Sequence, residues 1–330
     1  MRELIPPFEF YRCIIEPWAT DTWGTSWIVA MGFFVLAAGG LVGNFLLLRR
    51  MALIGDAISH SILPGLVGAF LVFRHSGTLV SVIGAFAAGA LTVAMIEFIH
   101  RQTRVKPDAA ICITFTSLFA LGVVMITSLE SQGSFHIDAE CVLYGEIAFV
   151  PLEESLVLGG IAWGPPSAIR MAIILLSVVG AIGLFYKELL VTAFDNGLAR
   201  SMGMNTALWH YGLMAAVILV VVGSFESVGA ILAVATLIVP PMFAAQLSDR
   251  MGVRLVLTVL HAAASAVIGL HLSYWLNCSV AGAMVVAGSG LFLAAWALTL
   301  LHSRLQRRGR MDPEESEISP ETYNHPQAYP

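Results

Sequence analysis

Nine apolar stretches of spanning length, at 27–48, 52–73, 78–99, 109–129, 168–186, 207–224, 228–246, 253–275 and 279–301, leave this chain few ways to fold. A helix crossing a hydrocarbon core about 30 Å thick needs roughly 20 predominantly apolar residues. Inside lipid every backbone polar group must be satisfied within the segment, so such runs become helices. The expected class is all-α: a polytopic membrane helix bundle of about eight to nine transmembrane helices. Gly223, Glu226 and Gly229 interrupt the run around 220–235, so eight spans with one broken segment is the alternative to nine. Composition agrees. Only 12 % of the 330 residues are charged, half the share of about 25 % in soluble globular chains, which is too little polar surface to cover a water-soluble globule.

The net charge of −5 says little, because the charges are unevenly placed. If helix ends alternate sides, thirteen of the 17 Lys and Arg residues, from Arg49 and Arg50 to Arg308 and Arg310, fall on one side. The other side receives Arg2, Arg12, Arg74 and Arg170. Cytoplasmic loops carry the excess of Lys and Arg, so the N-terminus is expected outside and the C-terminus inside. Residues 1–26 then form an extracytoplasmic N-terminal tail, 27–310 the transmembrane domain, and 130–167 an extracytoplasmic loop. Residues 311–330 are acidic and poor in apolar groups, the composition of a disordered tail. Glu3, Glu9, Glu16 and Asp21 precede the first apolar run, unlike a secretory signal peptide with its basic start. Cys13, Cys112, Cys141 and Cys278 form no close pair, so neither a zinc finger nor a redox motif is indicated. Gly39/Gly43 and Gly65/Ala69 have the small-xxx-small spacing that suits close helix contact in lipid.

Charged groups within the membrane are costly, on the order of 3 kcal/mol for an Asp at the centre, and mark tasks. The chief cluster is Asp56, Ser59 and His60, followed by Pro64. Asp56 and His60 are four apart, hence on one helical face, with Ser59 flanking it. Counted from Arg50 they lie roughly 9–15 Å into the membrane at 1.5 Å per residue. Pro64 lacks an N–H and leaves the carbonyl of His60 without its intrahelical donor. Carboxylate, imidazole and carbonyl suit Mn²⁺, Zn²⁺ or Fe²⁺. The alternative is that Asp56 and His60 only pair with each other and join two helices. Glu226 could be a gate, a ligand or a headgroup-level residue; His261 and His271, ten apart and so not placed to share one ion, are each a candidate ligand with a packing or interface role as the alternative. The His136-x-Asp138-x-Glu140 alternation could attract cations or be a solvated loop.

The stretch from Arg49-Arg50-Met51 through Gly55-Asp56 and Ser59-His60 to Leu63-Pro64-Gly65 resembles the signature of bacterial metal-importing ABC permeases, the manganese/zinc/iron family. Tyr186–Gly203 and Val228–Pro240 match further stretches of that family in the same order, as does Asp138 with Leu143–Glu146. The doubled Pro240-Pro241, a long 150–167 segment and the acidic tail depart from it. The resemblance implies the fold of an ABC importer permease and Asp56 and His60 on the path of the metal. It also implies a cytoplasmic ATP-binding subunit, an extracytoplasmic metal-binding protein and a second permease subunit, identical or similar, in the bacterial inner membrane. Residues 195–203 are then expected to be the helix that couples to the ATPase, with Asp195, Leu198, Ala199, Met202 and Gly203 as its working residues. Asp195 suits an N-cap, Gly203 the left-handed residue that closes a helix, and Leu198 with Met202 makes one apolar stripe.

A P-loop needs Gly-Lys-[Ser/Thr] to cradle phosphates. The only lysines, Lys106 and Lys187, follow no glycine, so ATP hydrolysis by that means falls to a separate subunit. The chain is expected not to be an enzyme, with no permanently bound cofactor and no nucleic-acid partner; its ligand is the transported divalent ion. Two other classes compete. A secondary transporter would use an ion gradient, and an intramembrane metalloenzyme would need a catalytic set such as HExxH, which is absent.

Overall fold

A computed structural model describes residues 7–73, 77–130, 147–158 and 161–308. The described chain is a helical bundle: α1 Thr22–Leu48, α2 Ile54–Phe73, α3 Thr78–Gln102, α4 Pro107–Glu130, α5 Pro166–Leu184, α6 Tyr186–Phe194, α7 Asn196–Ser201, α8 Thr206–Leu247, α9 Met251–Leu276 and α10 Val280–Arg308. Short turns at Tyr11–Ile15, Glu16–Thr20 and Ile147–Leu152, and a two-residue antiparallel ladder (Val157–Leu158 with Ile161–Ala162), complete it. Among the described residues, eight helices are long and apolar enough to cross a membrane.

The expected pair 207–224 and 228–246 is a single run, α8, broken at Gly229 (φ 70°, ψ 174°). That backbone region is essentially open only to glycine. The part after the break, Leu232–Leu247, is a shorter apolar helix. Sixteen residues at 1.5 Å each make about 24 Å, short of the roughly 30 Å core. The eight-plus-one-broken reading describes this arrangement.

The bundle is built around α1 and α8. The apolar window of α1 is 78 % buried, against 22 % for α10. α1 packs against α8, α9 and α5, and α8 against α1, α10 and α9. The glycines of α1 make this possible. A methyl at Gly43 would stand 2.1 Å from the carbonyl oxygen of Leu237, and one at Gly39 would stand 2.1 Å from Thr236 Oγ1. Gly65 and Ala69 do the same for α2 against Gly84 of α3. Buried polar pairs pin the helices: Asn44 Nδ2 donates to Thr258 Oγ1 at 2.8 Å, and Thr92 Oγ1 to Ser61 Oγ at 2.5 Å.

The expected N-terminal tail does not stay separate up to residue 26. Asp21 Oδ1 accepts from Gly24 N at 2.9 Å and starts α1 five residues before the apolar run. Ahead of it, Cys13 is buried, and its carbonyl accepts from His271 Nδ1 at 2.9 Å. Thr25 Oγ1 donates to Pro17 O at 2.7 Å. The Tyr11–Ile15 turn lies against α9 through buried Cys13, while Phe10, Tyr11 and Ile15 stay exposed. His136, Asp138 and Glu140, and the tail 311–330, lie outside the described residues.

Candidate metal site and docking helix

α2 carries the site. Asp56 lies in its first turn, and His60 one turn on brings Nε2 to 3.4 Å from Asp56 Oδ1. That is longer than an ordinary N–H···O bond, so the two groups face one another without being locked. The side chains are 39 % and 28 % exposed respectively, so the pair opens onto a surface of the chain. The other ring nitrogen, His60 Nδ1, is buried and has no hydrogen-bond partner. Phe115 and Phe119 of α4 wall the imidazole, with ring centroids at 5.1 and 5.6 Å. α4 approaches this closely at Gly122, where a methyl would meet Pro64 Cδ at 2.8 Å. The two phenylalanines and Gly122 escaped the sequence reading. Their four-residue spacing is the one signal there, and an apolar span offers many such pairs.

Ser59 does not flank the pair. It is 1 % exposed and its hydroxyl donates to Gly55 O at 2.9 Å within its own helix. The 100° step from His60 turns it into the packed side of α2. His261 and His271 are not brought to the pair either; α2 packs against α3, α4 and α8, whereas both histidines lie on α9. His261 Nε2 donates to Gly288 O at 3.1 Å, its Nδ1 lies 3.4 Å from Ser265 Oγ, and its ring lies 4.6 Å from that of Phe243. His271 is held by the Cys13 carbonyl and lies beside Trp18. Glu226 falls three residues before the break in α8, and its side chain is not among those described. Among the described residues no three His, Cys, Asp or Glu side chains gather. A divalent ion here would take two side-chain ligands from this chain and complete its shell with water, backbone oxygen or a partner.

At the arginine-rich end of the bundle, α7 is a short helix with both ends closed. Asp195 Oδ1 accepts from Gly197 N at 2.8 Å and Leu198 N at 3.0 Å. Gly203 takes φ 78°, with Gly203 N donating to Arg200 O and Met204 N to Ala199 O, both at 3.0 Å. These are the two bonds of a Schellman closure. Leu198 and Met202 are 52 % and 63 % exposed and point away from the bundle. Ala199 is fully buried, so it is the foot of the helix and no part of its outward stripe. Beside α7 a cavity of about 790 Å³ is lined by Arg49, Arg50, Arg101, Lys106, Arg200 and His210, with Glu97 and Asp108 among its other walls.

Against known families, the ABC 3 transport family matches residues 25–299, nearly the whole described bundle. The chain belongs to this family. Its curated relatives include the manganese transport system membrane protein MntD of Bacillus subtilis (strain 168), 42 % identical over 82 % of this chain and 90 % of the relative. The zinc transport system membrane protein TroD of Treponema pallidum (strain Nichols) is 37 % identical over 85 % of this chain and 75 % of its own. Among solved structures, PsaBC from Streptococcus pneumoniae in complex with Fab superimposes with a TM-score of 0.70 at 30 % identity, covering 86 % of this chain and 95 % of that one. As an ABC 3 family member the chain is a membrane transport subunit, and the ion-gradient alternative is not favoured.

Proposed function

We propose that this chain is the permease subunit of an ATP-driven importer of divalent metal ions, with Asp56 and His60 on the translocation path. The observation that carries the site is the facing pair itself: His60 Nε2 and Asp56 Oδ1, 3.4 Å apart on one face of a spanning helix and partly exposed. A carboxylate and an imidazole placed on a spanning helix are costly unless a ligand or a partner uses them. Oxygen and nitrogen donors without a thiolate suit Mn²⁺ first, and Zn²⁺ or Fe²⁺ by the same chemistry; the names of MntD and TroD point the same way.

In this reading the arginine-rich end faces the bacterial cytoplasm, and α7 offers Leu198 and Met202 to a separate ATP-binding subunit. A metal-binding protein delivers the ion from outside, and a second permease subunit closes the path where the Asp56–His60 pair opens to the surface. The chain itself supplies no ATP hydrolysis.

The test is uptake of radiolabelled manganese by vesicles holding the permease, its ATPase and its metal-binding protein. ATP-dependent uptake that Asp56→Ala or His60→Ala abolishes supports the reading. Uptake that continues without ATP and follows an imposed proton or sodium gradient overturns it in favour of a secondary transporter.

A further inference from the structure

The arginine-rich end holds one arrangement that neither the metal pair nor the docking stripe uses. α1 ends in a Schellman closure, with Met51 N donating to Leu46 O at 3.0 Å and Arg50 N to Leu47 O at 3.1 Å. The left-handed position of that motif is normally glycine; here it is Arg50, at φ 57°. The turn leading from α1 into α2 is therefore a defined and mildly strained structure. Arg49 sits at its start and reaches away from it. One guanidinium nitrogen, Nη2, donates to Thr192 Oγ1 at 3.0 Å, and Nη1 lies 3.2 Å from His210 Nδ1. A guanidinium has no acceptor atom, so in this contact the imidazole accepts and is neutral.

The positions of the two acceptors give the arrangement its meaning. Thr192 lies in α6, three residues before the N-cap Asp195 of α7, and His210 lies in the first turns of α8, seven residues after Gly203. One arginine thus grips both flanks of the docking helix. On its own strand of chain, Arg49 stands seven residues before Asp56. It is partly buried, and burial pulls its pKa below the usual arginine value. The nearby carboxylate Glu97 already pairs with Arg101 and Tyr211. A charge held by neutral acceptors at fixed angles makes a directional tie.

We propose that Arg49 is a positioning residue that ties the flanks of α7 to the turn leading into α2, so that displacement of α7 by the ATPase is delivered to Asp56 and His60. This rests on the assignment of α7 and of the metal pair made above. It differs from a general stabilising role in one measurable respect. A loosened tie lets ATP be hydrolysed without moving metal, whereas a merely destabilised protein loses both activities together.

The experiment uses the full transporter in vesicles and measures manganese uptake and ATP hydrolysis in the same sample. For Arg49→Gln the expected result is a tenfold or greater fall in manganese ions moved per ATP, with ATPase pull-down and manganese binding to the purified permease unchanged. Arg49→Lys, which keeps the charge but cannot reach both acceptors, should recover part of that ratio. Thr192→Val with His210→Phe removes the acceptors while leaving the arginine. It should reproduce the uncoupling, and it carries the test if Arg49→Gln does not fold. Parallel loss of uptake and hydrolysis at a constant ratio, or a wild-type ratio in these variants, overturns the proposal. Asp56→Ala and the Leu198→Asp, Met202→Asp pair are run alongside. If those two still import and still bind the ATPase, the functional assignment itself has failed and not only the tie.

Discussion

Asp56 and His60 stand one helical turn apart with Oδ1 and Nε2 separated by 3.4 Å, and the opposite nitrogen of the same imidazole has no partner. A pair that served only to join helices would saturate both groups. This one leaves the carboxylate partly exposed and not locked to the imidazole, whose ring packs beside Phe115 and Phe119. Removing either member should therefore lower manganese uptake in reconstituted vesicles by more than about tenfold, the scale at which disturbing even the partners of metal ligands is felt. Unchanged uptake in both Asp56→Ala and His60→Ala would remove the pair from the path.

His261 and His271 should behave oppositely. Each is tied to a backbone carbonyl, Gly288 and Cys13 respectively. Loss of a buried hydrogen-bonded group of this kind costs about 1–3 kcal/mol. His261→Ala should melt earlier in detergent, yet the surviving folded protein should bind manganese with wild-type affinity. A loss of binding without a loss of stability would return His261 to the list of ligands.

The faces of α7 divide its residues. Replacing exposed Leu198 and Met202 with Asp should abolish ATPase pull-down while leaving the melting temperature in place, because both side chains are more than half exposed. Ala199→Leu forces three extra carbons into a filled site and should destabilise by about 1–3 kcal/mol. Normal pull-down by the double Asp variant would place the docking surface elsewhere.

Helix contact through Gly43 predicts a contrast between glycines. Gly43→Ala puts a methyl 2.1 Å from a backbone oxygen that cannot rotate away, and should cost about 1–3 kcal/mol. Gly212→Ala in α8 meets nothing within 4 Å and should be neutral or stabilising by up to about 1 kcal/mol. Thermal melting of the two variants, compared side by side, checks this; equal melting points would refute the packing argument.

The thirteen-to-four split of basic residues predicts which end is cytoplasmic. Single cysteines replacing exposed Thr103 and Glu154, in a background without the four native ones, can be probed with an impermeant thiol reagent. Glu154→Cys should label in intact cells and Thr103→Cys only after lysis. The reverse pattern would turn the protein over in the membrane.

The sequence by itself was sufficient for eight of the nine apolar runs and for the two ends of α7, and it offered the break around 220–235 as one of two readings. A lipid-embedded backbone must close its own hydrogen bonds, which makes span length decisive. Caps such as Asp195 and Gly203 act on atoms only a few residues away. Asp56 and His60 stood out because charged groups are rare within apolar spans. Tertiary structure decided which way each helix faces. In a soluble helix the polar stripe marks the outside, but here lipid-facing and core-facing sides are both apolar, and that signal disappears. So Ser59 and Ala199 turned inward, His261 and His271 went to backbone carbonyls, and Phe115 and Phe119 came to His60. Arg49 met Thr192 and His210 across 143 and 161 residues of chain, a contact created only by the packing of α1 against α6 and α8.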